Sequence, residues 1–338
     1  MHIVITGGAG FLGVRLARTL LQQGQLKLAG TPDQAITRIT LVDRAAPPAD
    51  LAANPKVQSV VGDLVELLLQ DPARVVPADA QAVVHLASAV SGECEADFDL
   101  GMRSNLQAGQ LLLERCRALG TAPVLLFSSS LAVFGNSPEL PLPEVITDTT
   151  LPTPQGSYGV QKFVLEQLVA DYTRKGFIQG RNVRLMTVSV RPGRPNGAAS
   201  SFLSGMLREP LAGQRAICPV PPNTPVALSS PARTIDGLLR ALQTSAAEWG
   251  PRIGLNLPAL TTTPAEMAAA LEKVAGKAAT DLIDWQVDPK IAALVTSWPA
   301  RIDAARARGL GLLPETDFEA IVRDYVRDNP DTIKLTLC

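Results

Sequence analysis

The chain has 338 residues, is 46% hydrophobic and 19% charged, and carries a net charge of −1. That length can bury a large core and allows one or two domains, while near-neutral charge without a basic run argues against nucleic acid or a membrane surface as partner. Only His2 and His85 are present, and Cys94, Cys116, Cys218 and Cys338 show no metal-ligand spacing, so histidine triads and metal sites are excluded and no metal is expected.

The cysteines read as reduced thiols of a cytoplasmic protein. The N-terminus lacks the basic and apolar regions of a signal peptide, and no uninterrupted apolar stretch could span a bilayer.

His2–Ile5 is a short apolar run that reads as a strand. Gly7, Gly10 and Gly13 follow it, and then an amphipathic run carries Phe11, Leu12, Leu16, Leu20 and Leu21 on one helical face. Strand, glycine turn and helix form the context of a dinucleotide site. Gly7 allows the tight turn, Gly10 lets the backbone approach a pyrophosphate, and Gly13 lets helix and strand pack closely. The helix start offers N–H groups and its positive dipole end to phosphates.

Residues 25–37 read as an extended loop, and Ile39–Val42 as the second strand, ending in Asp43. A carboxylate there can accept hydrogen bonds from the ribose hydroxyls and would repel a 2′-phosphate, which favours NAD over NADP. Arg44 beside it could accept such a phosphate. Val57–Val61 is the third strand. In the following Gly62-Asp63-Leu64, Asp63 can cap a helix or reach the adenine. The fourth strand, Gln81–Leu86, leads through His85 into Ala87 and Ser88, small residues that let a cofactor pass close. His85 itself reads as a packed core histidine.

Residues 95–119 read as one long helix, within which a buried Asn105 could kink the helix or hold a water. Val124–Phe127 is the fifth strand and runs into Ser128-Ser129-Ser130. The alternation of strands and helices implies an α/β fold with a doubly wound parallel sheet, whose ligands sit at the carboxyl ends of strands. A proline-rich loop spans 135–156.

A helix opening at Ser157 puts Tyr158 and Lys162 four apart on one face. A lysine ammonium there favours the tyrosine phenolate. Tyr158 could then take a proton from a substrate hydroxyl while hydride leaves the same carbon, with Ser130 bonded to the substrate oxygen. Val183–Arg191 reads as a sixth strand. Helices are expected at 198–212, 231–247, 264–276 and 315–328, with short strands at 226–229, 253–257 and 282–285. This divides the chain into an NAD-binding domain over 1–190, with returning segments near 226–257, and a substrate lobe over 191–338.

Together these residues resemble the extended short-chain dehydrogenase/reductase family, which includes sugar-nucleotide epimerases and dehydratases. Thr6-Gly7-Gly8-Ala9-Gly10-Phe11-Leu12-Gly13 is similar to its cofactor loop, Gly62-Asp63-Leu64 to its adenine-side motif, His85-Leu86-Ala87-Ser88 to its His-Leu-Ala-Ala stretch, and Ser128 through Gly135 to its Ser-Ser-x-x-Val-Tyr-Gly block. The resemblance implies a Rossmann fold that binds NAD through Gly7, Gly10, Phe11, Leu12, Gly13, Asp43, Asp63, Leu64, Ala87, Asn105, Tyr158 and Lys162. It implies Ser130, Tyr158 and Lys162 as the catalytic triad, and a homodimer built on the helices at 95–119 and 157–174.

Leu131 and Ala132 stand where the family's dehydratases carry an acidic pair. The epimerases' Arg-Tyr-Phe-Asn and Arg-Asp-Phe-x-His-Val-x-Asp motifs are also altered, at 191–196 and 229–236. The stretch Ser189–Leu211 resembles the substrate-side segment of a family branch that oxidises the C2 hydroxyl of a short sugar acid with NAD. Arg191, Arg194 and Arg233 are candidate carboxylate clamps, and Ser88, Asn196, Ser200 and Ser201 could meet hydroxyls. The competing reading is an epimerase that keeps its NAD bound.

Overall fold

The computed structural model describes residues 1–193 and 197–338. The chain divides into two compact units. The first takes Met1–Ser130, Ser157–Arg184 and Ile235–Leu255; the second takes Leu131–Gly156, Leu185–Thr234 and Asn256–Cys338. The division is thus interleaved; the sequence suggests a boundary at residue 190 with segments near 226–257 returning to the first domain. Two of the second unit's segments, at 131–156 and 185–234, follow the carboxyl ends of sheet strands, where doubly wound folds let their connections grow.

The first unit is built on a seven-stranded parallel sheet. Its strands are β1 (His2–Thr6), β2 (Arg38–Asp43), β3 (Val57–Val61), β4 (Ala80–His85), β5 (Val124–Ser130), β6 (Gln179–Leu185) and β7 (Leu255–Asn256). Their order across the sheet is β7-β6-β5-β4-β1-β2-β3. The direction of strand addition therefore reverses between β1 and β4, the switch point at which such sheets bind ligands.

Side chains alternate between the two faces. Val4, Val42, Val60, Val83, Leu125 and Phe127 pack with residues of α2 (Leu64–Gln70), α3 (Ala108–Leu119) and α4 (Ser157–Arg174), among them Leu68, Leu112, Leu113, Cys116, Leu165 and Val169. Helix α1 (Phe11–Gln23) buries Leu16, Ala17 and Leu20 and ends at Gly24, whose positive φ of 69° lets its N–H reach the Leu20 carbonyl. The N–H of Ala29 then bonds to the Leu242 carbonyl at the end of the 231–243 helix.

Three expectations are corrected. Residues 25–37 hold a small antiparallel pair, Gln25–Leu26 with Gln34–Ala35. The 95–119 segment is broken: Asp97 lies in extended backbone and caps a short helix, Phe98–Gly101, and Met102–Gln107 is a π-helical turn leading into α3. The expected sixth strand begins four residues early, as β6, and Thr187–Val188 pairs in a different sheet. Its start was hidden because Arg181, Asn182 and Arg184 are polar yet buried.

In the second unit, Thr187–Val188, Val226–Ser229 and Leu260–Thr262 form a three-stranded sheet, and Ala216–Cys218 pairs in parallel with Ile283–Trp285. Its core joins Met206 and Leu207, Met267 and Leu271, and Phe318 and Val322 from the helices Phe202–Leu211, Pro264–Ala275 and Phe318–Asp328. Among the described residues, no helix is long and apolar enough to cross a membrane.

Candidate active site

The glycine loop leaves β1 at the switch point. The N–H groups of Gly7 and Gly8 bond to the Val42 carbonyl. A Cβ on Gly7 would lie 2.7 Å from the Ala87 nitrogen, and one on Gly13 would lie 2.2 Å from the Gly7 carbonyl oxygen. Gly7 also has a φ of 71°, so glycine is required there on two counts. Gly10 is the N-cap of α1; no side chain caps that helix and no acid lies in its first turn. The N–H groups of Phe11, Leu12 and Gly13 at this end suit an anion.

Asp43 ends β2 beside this loop. Its carboxylate accepts from the N–H of Ala9 at 3.0 Å and of Ala45 at 3.2 Å. Two acceptor bonds leave capacity for diol hydroxyls, because a carboxylate offers about four lone-pair sites. The loop, Ala87 and Asp43 thus fit a dinucleotide.

Asp63 caps α2, accepting from the N–H groups of Val65 and Glu66, and Leu64 is the helix's first residue. Asp63 Oδ2 also accepts from Arg44 and Arg103, each at 2.9 Å, and Arg103 reaches Glu66 at 2.7 Å. The Arg103 guanidinium, helped by the helix N–H groups and Arg44, holds the Asp63 carboxyl well below the usual range. Arg103 joins this candidate site through Asp63 and is absent from the sequence reading; its distance of 40 residues from Asp63 gives no local signal.

Asn105 is 2% exposed and sits in the π-helical turn. Its Oδ1 accepts from Ser88 Oγ and the Ala89 N–H; its Nδ2 donates to Gln161 Oε1 at 2.8 Å. Asn105 therefore ties the Ser88–Ala89 loop after β4 to α4.

Tyr158 and Lys162 stand on one face of α4, with Lys162 Nζ 5.4 Å from the centre of the Tyr158 ring and 4.9 Å from that of Phe127. Lys162 Nζ donates to the Ser128 carbonyl at 2.8 Å. Ser130 and Tyr158 are half-buried, whereas Lys162 is 2% exposed. Burial pushes its amine down to about 7. His85 is a core residue: its Nδ1 is 2.6 Å from Thr6 Oγ1, its ring stacks on Phe127, and burial pushes it down to about 3. It is neutral at physiological pH.

Four candidate substrate residues belong to the second unit. The N–H of Arg191 donates to Ser204 Oγ at 3.0 Å. Arg233 is exposed and pairs with Glu315 at 3.6 Å, so a substrate carboxylate would compete with Glu315. Ser200 and Ser201 form the turn that opens the 202–211 helix. Arg194 and Asn196 lie outside the described residues. No group of three or more metal-ligating side chains occurs among the described residues.

Residues 3–226 match the NAD dependent epimerase/dehydratase family. The chain belongs to this family and is an NAD-dependent dehydrogenase. It is 48% identical to the D-erythronate dehydrogenase of Cupriavidus necator, over 97% of this chain and 98% of that one. It is 40% identical to the D-erythronate dehydrogenase of Haemophilus influenzae, over 96% and 99%. The crystal structure of a nucleoside-diphosphate-sugar epimerase from Agrobacterium tumefaciens superimposes with a TM-score of 0.88 at 38% identity, covering 98% of this chain and 95% of that one.

Proposed function

We propose that this enzyme oxidises the C2 hydroxyl of D-erythronate, or of a similarly short sugar acid, to the 2-oxo acid. The observation that carries the reading is the shared face of Tyr158 and Lys162 on α4, set against the serine-ended strand β5. The near full-length similarity to two D-erythronate dehydrogenases supplies the substrate class.

In this reading Tyr158 is the general base and takes the hydroxyl proton. Ser130 holds the substrate oxygen by a hydrogen bond as it becomes a carbonyl. Lys162, in its charged form, favours the phenolate. NAD, held by the Gly7–Gly13 loop, Asp43, Asp63, Leu64, Ala87 and Asn105, supplies the hydride acceptor. Ser88, Ser200, Arg191 and Arg233, with Arg194 and Asn196, would hold the acid's hydroxyls and carboxylate, since a guanidinium can grip both carboxylate oxygens.

Tyr158→Phe tests the base: turnover should be lost with NAD affinity nearly intact, and substantial residual turnover would refute the assignment. The similarity to a nucleotide-sugar epimerase favours one second reading, an epimerase that returns its hydride. That enzyme would purify with cofactor and give no net NADH.

A homodimer is part of the proposal. Phe98 before the π-helical turn, and Val160 and Val164 on α4, are 61%, 46% and 38% exposed, an apolar surface of the kind that pairs. A monomer by light scattering would remove this element. A cytoplasmic location accords with Cys94, Cys116 and Cys218 as buried free thiols.

A further inference from the structure

The catalytic face of α4 continues beyond Lys162. Glu166 stands one turn further on, so Tyr158, Lys162 and Glu166 line up at four-residue intervals. Glu166 is 1% exposed. Its Oε1 accepts from Ser129 Oγ at 2.5 Å and from Arg184 Nε at 2.9 Å, and its Oε2 accepts from Arg184 Nη2 at 2.7 Å. Two parallel bonds from one guanidinium fix both oxygens. Asn182, two residues before Arg184 on β6, donates from Nδ2 to the Glu166 backbone carbonyl at 2.9 Å. Gly254 covers the pair: a Cβ there would lie 2.4 Å from Arg184 Nε and 3.0 Å from Glu166 Oε1. Apolar side chains would fill such a place at lower desolvation cost, so packing alone does not account for the pair.

We propose that Glu166, gripped by Arg184, is a positioning residue for the reaction: through Ser129 it fixes the end of β5 that presents Ser130, and its charge supports the Lys162 ammonium. This rests on the reading of Ser130, Tyr158 and Lys162 as the triad. The two serines before Ser130 are held differently. Ser128 Oγ donates to the His85 carbonyl, the Ser128 carbonyl accepts from Lys162, and Ser129 Oγ donates to Glu166. The backbone on the N-terminal side of Ser130 is thus clamped from β4 and from α4.

The titratable and charged groups around Lys162 are Tyr158 and Glu166 on its own helix, His85 on β4, Cys94 on the Ser91–Ala96 helix and Arg184 on β6. His85 is neutral, and burial raises the Cys94 thiol so that it stays protonated at neutral pH. Glu166 is the anion whose charge opposes the burial of the Lys162 ammonium.

Three variants separate the two effects, each assayed for kcat and KM across pH beside Tyr158→Phe. Ser129→Ala keeps the ion pair and removes its bond to β5; kcat should fall about 10-fold, with KM for NAD little changed and the pH profile unmoved. Glu166→Gln removes the charge. Loss of a nearby anion lowers the pKa of both Tyr158 and Lys162, so the kcat profile should move to lower pH by about one unit. If the uncompensated Arg184 prevents folding of Glu166→Gln, the double variant Glu166→Gln/Arg184→Gln removes both charges of the pair, and its kcat should fall at least as far as that of Ser129→Ala. Wild-type kcat in Ser129→Ala, or an unmoved profile in Glu166→Gln, or wild-type kcat in the double variant where that replaces it, would overturn the inference while Tyr158→Phe stays inactive. An active Tyr158→Phe would instead overturn the triad reading beneath it.

Discussion

The Lys162 ammonium donates to the carbonyl of Ser128 at 2.8 Å, two residues before Ser130. One side chain thus links the helix that carries the proposed base to the strand that carries the proposed oxygen-binding serine. The cost of this link is a buried amine.

That cost can be measured with Lys162→Met. Burial lowers the Lys162 pKa from its ordinary 10.5 to about 7. Between those values the unfolded chain holds more protons than the folded one, so the wild type gains stability as pH rises from about 7 toward 10. Met matches the aliphatic stem and carries no charge. Lys162→Met should lose turnover while its thermal midpoint at pH 7 equals or exceeds the wild type's, and its stability should lose the wild type's rise with pH. A midpoint several degrees lower would show that the ammonium's bond to Ser128 outweighs its desolvation.

Arg44 is the residue that could admit a 2′-phosphate, and Asp63 holds it. Asparagine caps a helix about as well as aspartate, so Asp63→Asn keeps the cap of α2 and weakens the hold on Arg44, while Arg103 keeps its bond to Glu66. The NAD-to-NADP ratio of kcat/KM should fall, by about 10-fold, as the Arg44 guanidinium becomes available to phosphate. An unchanged ratio would show that Asp43 alone sets the preference. Asp63 is depressed in the fold, so its contribution to stability is present above the ordinary carboxylate pKa near 4 and fades as pH falls below it. In acid titrations Asp63→Asn should lose part of that dependence.

Asn105→Ala removes the tie between the Ser88–Ala89 loop and α4. It leaves the buried Ala89 N–H and Gln161 Oε1 without their partner. The expected cost is about 2–3 kcal/mol in urea unfolding, with a rise in the KM values. A cost below about 0.5 kcal/mol would show that water replaces the amide.

Gly13→Ala places a methyl group 2.2 Å from the Gly7 oxygen. NAD affinity should fall steeply, since the loop must shift from the position that approaches phosphate. Titration calorimetry with NAD reads this directly, and wild-type affinity would mean that the loop yields without loss.

Much of this was legible because it was local. The glycine loop, the strand-end Asp43 and the i, i+4 pair of Tyr158 and Lys162 are short-range patterns, each weak alone and read together through their order along the strands. Asn105 was legible as a helix-perturbing residue, but not the π-helical turn, because that turn depends on partners at residues 88, 89 and 161. Glu166 and Arg184 were invisible for a similar reason. Each looks like a surface charge by type, and only their 18-residue juxtaposition across helix and strand allows their burial. Glu166 did have one signal: it is flanked by the buried Leu165 and Val169 and continues the face of Lys162. The interleaving of the two units follows from strand-end insertions that composition does not mark.

The most direct test of the proposed reaction is NADH absorbance after mixing the purified protein with NAD and D-erythronate, with threonate and longer aldonates alongside. Stoichiometric NADH that depends on the four-carbon acid, and disappears in Tyr158→Phe, is the expected result. No NADH from any aldonate, from protein that purifies with its cofactor already bound, would contradict a dehydrogenase of sugar acids and favour the epimerase.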